Sequence, residues 1–294
     1  MPERGPGTVA SGRADAPAPQ AREPALCRSA PRVRVTGRVA APDSGELSGL
    51  VRSPSRRDVL WTHNDSGNGA RLIAVTPAGR TVADVVVEGA ENVDWEDIAT
   101  GAGRSLLIGD IGDNLARRDS VVVYRVLEPR ITAPAATGVA VAARYELRYP
   151  DGARDAEALL FDRATATVVI VTKSLGGESG VYVAREPSAR RVTVLRRTGT
   201  ISLGALQAVT AGDVSGDGRT IALRTYDRAY VWHRRSGESV AAALRRAPCA
   251  VDADLLREGQ GEALALDGDG RAFHTVPEDS RAAIRRYEAR GGAS

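Results

Sequence analysis

The sequence predicts an all-β protein folded as a single β-propeller. Three observations carry this: short strand-like runs separated by Gly, Asp, Asn and Pro turns, no segment with a helical period sustained for three turns, and a motif recurring about every fifty residues.

The chain has 294 residues, 43% hydrophobic and only 4% aromatic, which suits one large core of Val, Leu, Ile and Ala. Residues 1–31 are rich in Pro and Ala and poor in bulky apolar groups, so burial cannot offset the entropy of ordering them. A disordered segment is expected there, followed by a propeller domain over 32–290. Residues 33–39 are the first strand-like run, and 59–62, 105–108, 121–124, 168–171 and 229–232 are further examples.

When the strand openings are aligned, Ser48, Glu96, Glu157, Thr210 and Glu262 fall in one column, at intervals of 48, 61, 53 and 52 residues. That is the period of a four-stranded blade with loop insertions. Five blades of four antiparallel strands are expected, or six if residues 131–149 hide another. The last repeat ends near Tyr287 after three strands, so 33–39 should complete it and close the ring, which removes an edge. Cys27 precedes this closing strand and Cys249 precedes the last repeat, so the two flank one seam. They are either free thiols or one long-range disulfide, and a bond would imply an oxidising compartment.

Several function classes are excluded. No run approaches the ~18 apolar residues of a membrane-spanning helix. The first thirty positions lack a signal peptide's apolar stretch, so the protein is extracytoplasmic if an export signal lies upstream of the given start and cytoplasmic otherwise. Net charge is +3 and the basic residues are scattered; Arg117-Arg118 and Arg234-Arg235 are short loop pairs without stacking aromatics, so no nucleic-acid partner is expected. The α/β-hydrolase nucleophile elbow needs Gly-x-Ser-x-Gly, and Gly177-Glu178-Ser179 does not complete it. Asp213 to Gly218 and Asp267 to Gly270 read as hairpin turns rather than calcium loops. A monomer is expected.

What remains is an acidic mouth. Residues recurring at one point of each repeat project to one rim, so Glu96, Glu157 and Glu262 should face a common funnel, with Asp110 at the end of a second strand. Carboxylates that close raise one another's pKa unless a cation or a basic side chain compensates. Glu96, Asp110, Glu157 and Glu262 are therefore candidate ligands for a metal, with calcium favoured because the donors are oxygens. Lys173, the sole lysine, and Arg224 end second strands at the same rim and are candidates to neutralise the acids or clamp an anionic group. His63 and Asp65 are candidate proton acceptors should the site be hydrolytic.

Residues 45–287 resemble an uncharacterised family of bacterial propeller proteins, often exported, through His63-Asn64-Asp65-Ser66-Gly67, 94–99, Gly109-Asp110-Ile111-Gly112-Asp113-Asn114, 155–160 and Gln260-Gly261-Glu262-Ala263. More distantly, the Asp-x-Glu openings look like those of calcium-dependent propeller phytases and phytase-like esterase domains. Those families carry Gly after the Glu, where this chain has Asp97, Ala158 and Ala263. Two readings follow. One is a binding propeller that takes a small or anionic ligand, or a protein partner, at the acidic mouth. The other is a calcium-dependent hydrolase of phosphate or carboxylic esters, with Glu96, Asp110, Glu157 and Glu262 on the metal, Lys173 and Arg224 stabilising negative charge, and His63 or Asp65 as base.

Overall fold

A computed structural model describes residues 1, 23–40, 45–131, 137–279 and 281–291. The architecture is all-β and propeller-like, built from four-stranded antiparallel units. After β1 (Arg32–Arg38), the first unit is the meander β2 (Leu47–Arg52), β3 (Leu60–Asn64), β4 (Arg71–Val75) and β5 (Thr81–Glu88). The second is β6 (Trp95–Thr100), β7 (Ser105–Asp110), β8 (Val121–Leu127) and β9 (Thr137–Arg148). The third runs β10 (Ala156–Asp162), β11 (Thr167–Thr172) and β12 (Glu178–Arg185), passes the short β13 (Thr193–Val194), and ends on β14 (Arg196–Ser202). The fourth is β15 (Val209–Val214), β16 (Thr220–Thr225), β17 (Ala229–His233) and β18 (Cys249–Ala250). The last is β19 (Gly261–Leu266), β20 (Ala272–Pro277) and β21 (Ala283–Glu288), completed by β1.

The first strands of these units touch in turn, β2 to β6 to β10 to β15 to β19, and β19 returns to β2. Each is covered on both faces, so β10 and β19 are buried along their whole length and read as near-continuous apolar runs. Apolar side chains fill the spaces between neighbouring units: Trp61, Leu72, Trp95 and Ile98 in one, Leu160, Val181, Leu223 and Trp232 in another. This packing fixes the angle at which each first strand faces the centre.

Ring closure follows the sequence expectation. β1 lies antiparallel to β21, with Val33 opposite Tyr287 and Arg38 opposite Ala283. Cys27 and Cys249 form a disulfide with their Cα atoms 6.1 Å apart, bonding the N-terminal approach to the fourth unit. The expected disordered segment falls largely on residues 2–22, which lie outside the described residues. Its last part is ordered instead: Ala25–Cys27 is a 3-10 turn, and Leu26 is fully buried in the core that holds Val251, Phe273 and Tyr287. Within 131–149, the stretch in which a sixth blade was the alternative, β9 (Thr137–Arg148) is the described strand. That strand pairs antiparallel with β8 and, at Val85 to Glu88, parallel with β5, so it bridges the outer edges of two units. Among the described residues no helix is long and apolar enough to cross a membrane.

Candidate metal centre at one mouth of the ring

A register slip recurs at the start of every first strand. Trp95 pairs with Asp110 and Asp97 with Gly109, leaving Glu96 bulged out of the ladder. Glu157 is passed over in the same way between Ala156 and Ala158, Thr210 between Val209 and Ala211, and Glu262 between Gly261 and Ala263. In the first unit the skipped residue is Gly49, whose φ of +65° suits a glycine bulge. A bulge turns its side chain away from the alternating faces of a strand, and here it turns the glutamates toward the mouth.

The centre of this mouth is a cluster of carboxylates. Asp65, Asp94 and Glu96 form one trio and Glu96, Asp155 and Glu157 a second, with the oxygens of each trio within 4.8 Å of one another. Oxygens sharing one calcium at roughly 2.3–2.6 Å can be no more than about 5 Å apart, so each trio fits one coordination sphere. Glu96 belongs to both. Gly112 makes room for it: a Cβ there would overlap Glu96 Oε1 and the Asp94 carboxylate. The Asp113 amide donates to Asp155 Oδ1 at 2.9 Å and holds the second trio from the other side.

The electrostatics are lopsided. Burial, then the negative charges of Glu157, Asp65, Asp94 and Glu262, push Glu96 up to about 12. Burial and Glu262 likewise hold Glu157 well above the ordinary carboxylate range, although Lys173 opposes the shift. Asp65 is raised to about 6, chiefly by burial. Lys173 Nζ donates to Glu157 Oε1 and lies 5.6 Å from the centre of the Tyr226 ring. Glu157 Oε2 has no hydrogen-bond partner although Glu157 is only 2% exposed. A buried carboxylate oxygen left unpaired among other carboxylates is an arrangement a cation would complete.

The other sequence-predicted residues have different places. Glu262 accepts from the Tyr226 hydroxyl at 3.0 Å and neighbours Glu278, which burial and a shared hydrogen bond push up to about 8; it flanks both trios without joining either. Asp110 is held by Arg118 at 2.8 Å and accepts from the amides of Val93 and Asp94, so it positions the Asp94 loop. Arg224 is fully buried, 3.2 Å from Glu258 and 3.1 Å from the Ala263 carbonyl, and Glu258 also accepts from Thr275 and Tyr287. That is an internal network in which Arg224 Nη2 has no hydrogen-bond partner, and its fully buried guanidinium is not offered to the mouth. His63 is likewise 0% exposed: Nδ1 is 3.1 Å from the Asn64 carbonyl and the ring packs edge-on to Trp95. Burial lowers its pKa to about 4, which keeps it neutral at pH 7. Only Asp65, of the two proposed bases, lies in the cluster.

Asp94 and Asp155 are the ligand candidates the sequence argument left out. Each stands two residues before a bulged glutamate, and residues two apart on an extended chain share a face, so the Asp-x-Glu spacing held the signal. Asp97 serves a separate role. Its Oδ2 accepts from the amides of Leu159 at 2.8 Å and Gly212 at 3.1 Å, tying three first strands together below the mouth.

No family model and no curated protein matches this chain. Among solved structures it is similar to a "putative 6-phosphogluconolactonase" from Bacteroides uniformis ATCC 8492, at 12% identity and a TM-score of 0.43, covering 87% of this chain and 74% of that one. A likeness at that level carries no argument about chemistry, which therefore rests on the residues above.

The opposite ends of the first strands open on a cavity of about 530 Å³ lined by Arg52, Arg57, Arg163, Asp213, Asp267 and Asp269 among others. Arg52 and Arg286 each reach Asp267 at 2.7 Å, and Asp213 accepts from the amides of Val214 and Leu266.

Proposed function

We propose that this chain is a five-bladed propeller that binds a divalent cation, calcium in preference, at its acidic mouth, and that the cation with Lys173 receives an anionic ligand. Glu96 and Glu157 are the central ligands, with Asp94 and Asp155 beside them and Asp65 completing the first trio. The observation that carries the reading is the unpartnered, buried Glu157 oxygen within a trio whose span fits one oxygen-coordinated cation. His and Cys are absent from both trios, which disfavours zinc. The recurrence of the bulge in five first strands supports the blade count. The Cys27–Cys249 bond supports an oxidising, extracytoplasmic location.

A cation held by carboxylates on one side keeps coordination positions for a ligand's oxygens on the other. Lys173, freed from sole compensation of Glu157, can then meet the ligand's negative charge. Hydrolysis of a phosphate or carboxylic ester is the second reading. It is favoured by the place of Asp65 in a trio beside the cation, from which it could take a proton from a bound water. Metal analysis of purified, undialysed protein tests the site: calcium near or above one equivalent is expected, falling in Glu96→Gln, and a metal-free protein that calcium does not load would refute it. Turnover of a model phosphate or carboxylic ester in the presence of calcium separates the two readings.

A further inference from the structure

Apolar side chains are exposed around this same mouth. Val93, Leu115, Leu175 and Leu206 are 53%, 70%, 67% and 74% exposed. Each sits in a loop beside the carboxylate cluster. Val93 precedes Asp94, and Leu115 follows two residues after Asp113, whose amide holds Asp155. Leu175 follows two residues after Lys173, and the Leu206 amide donates to the Leu175 carbonyl at 3.0 Å. Leu206 is held with φ of +66°, a left-handed conformation that costs a branched side chain free energy unless its surroundings impose it. Leu256, 65% exposed, begins the 3-10 turn Leu256–Glu258 that precedes β19.

Exposed leucines scattered singly over a surface need no explanation, but a set gathered around one polar opening does. These loops belong to the second and third units and to the link from the third to the fourth, so the exposed side chains lie along one arc of the opening's rim. The floor is charged and that arc of the rim apolar, complementary to a molecule with an anionic head and a hydrocarbon body.

We propose that the ligand of the acidic mouth is a small anionic amphiphile, with its carboxylate or phosphate at the cation and Lys173 and its hydrocarbon part against the leucines. This rests on the cation reading above, and the test keeps the two separable. Calorimetric titrations would use monomeric alkyl carboxylates and alkyl phosphates from two to ten carbons, below their micelle concentrations, on the full chain with excess calcium and with EDTA. Affinity should rise with chain length, by up to about fourfold per methylene buried, and the Leu175→Ser, Leu206→Ser double variant should flatten that rise while keeping the wild-type thermal response to calcium. Affinity independent of chain length would overturn the amphiphile proposal, even where calcium still binds. A chain-length dependence that persists in EDTA would uphold the apolar arc and refute the cation. Retention on anionic phospholipid vesicles that the double variant loses, with unchanged affinity for the monomers, would assign the leucines to a membrane surface and overturn the proposal.

Discussion

Replacing Lys173 by Met removes the ammonium that compensates Glu157 while keeping most of the side chain's volume. The pair is mostly buried, with the lysine side chain 18% exposed and the glutamate 3%. Breaking a buried pair from one side costs ~3–5 kcal/mol, because the remaining charge stays in a poor medium or must take up a proton. The ammonium's partial exposure and the ease with which Glu157 protonates place the expectation at the low end, about 3 kcal/mol. For a chain of this length that corresponds to roughly 5 °C in Tm. The decisive comparison is between EDTA and calcium. In EDTA Lys173→Met should melt well below wild type. In saturating calcium most of that gap should close, because the cation takes over the compensation and is no longer repelled by the ammonium. Lys173→Met should therefore bind calcium at least as tightly as wild type. Thermal melts and calcium titrations read both effects. Equal destabilisation in EDTA and calcium would mean that Lys173 supports the fold without sharing a site with a cation, and the reasoning fails.

Other expectations follow from the same geometry. Asp65, Glu96 and Glu278 have folded pKa values above ordinary carboxylates, so the native state holds their protons longer than the unfolded chain does. The associated stability is complete below about pH 4 and is lost as pH rises through about 6 for Asp65 and about 8 for Glu278. Urea denaturation in EDTA should show falling stability across that window, and calcium should flatten the fall; stability that rises with pH there would contradict the assignment. Asp213, raised to about 7 at the far end of the ring, should contribute a slope that calcium leaves alone. Gly112→Ala should weaken calcium binding about tenfold or more by displacing Glu96 and Asp94, measured by titration, and wild-type affinity would show that those carboxylates are not ligands. Cys249→Ser opens a crosslink between residues 222 apart in sequence and should cost about 5 kcal/mol by the loop-entropy account, measured by denaturation beside a reduced wild type. Non-reducing peptide maps should find Cys27 linked to Cys249, and two freely alkylated thiols would contradict the bond.

Much of the architecture was legible because repeats expose it. The Glu-containing openings mark first strands, and the fifth repeat's missing strand points to residues 33–39 as its partner, where the structure places β1. Residues 131–149 are ambiguous in sequence because the outer strand β9 is long enough to resemble part of another repeat; its pairing with both β8 and β5 joins residues far apart in the chain and leaves no local pattern. The centre was legible in part. Glu96 and Glu157 could be named from their column, but strict alternation cannot show that a bulge aims Glu96 at the mouth while Asp97, the next residue, ties three strands together. His63 and Arg224 stand at the expected strand ends, yet their roles are decided by burial. Gly49 opens the space His63 fills, and Gly261 leaves room for the guanidinium that pairs with Glu258. Such partnerships join residues distant in sequence and leave no local pattern.

The central claim is that the carboxylate mouth holds a cation through Glu96. Calorimetric titration of calcium into metal-stripped wild type and Glu96→Gln, each in two buffers of different ionisation enthalpy, tests it most directly. Saturable binding is predicted for wild type, with proton release near neutral pH because carboxyls held protonated in the free protein must ionise to bind the metal, and Glu96→Gln should lose it. No saturable heat in the wild type, or binding that Glu96→Gln retains unchanged, would contradict the account.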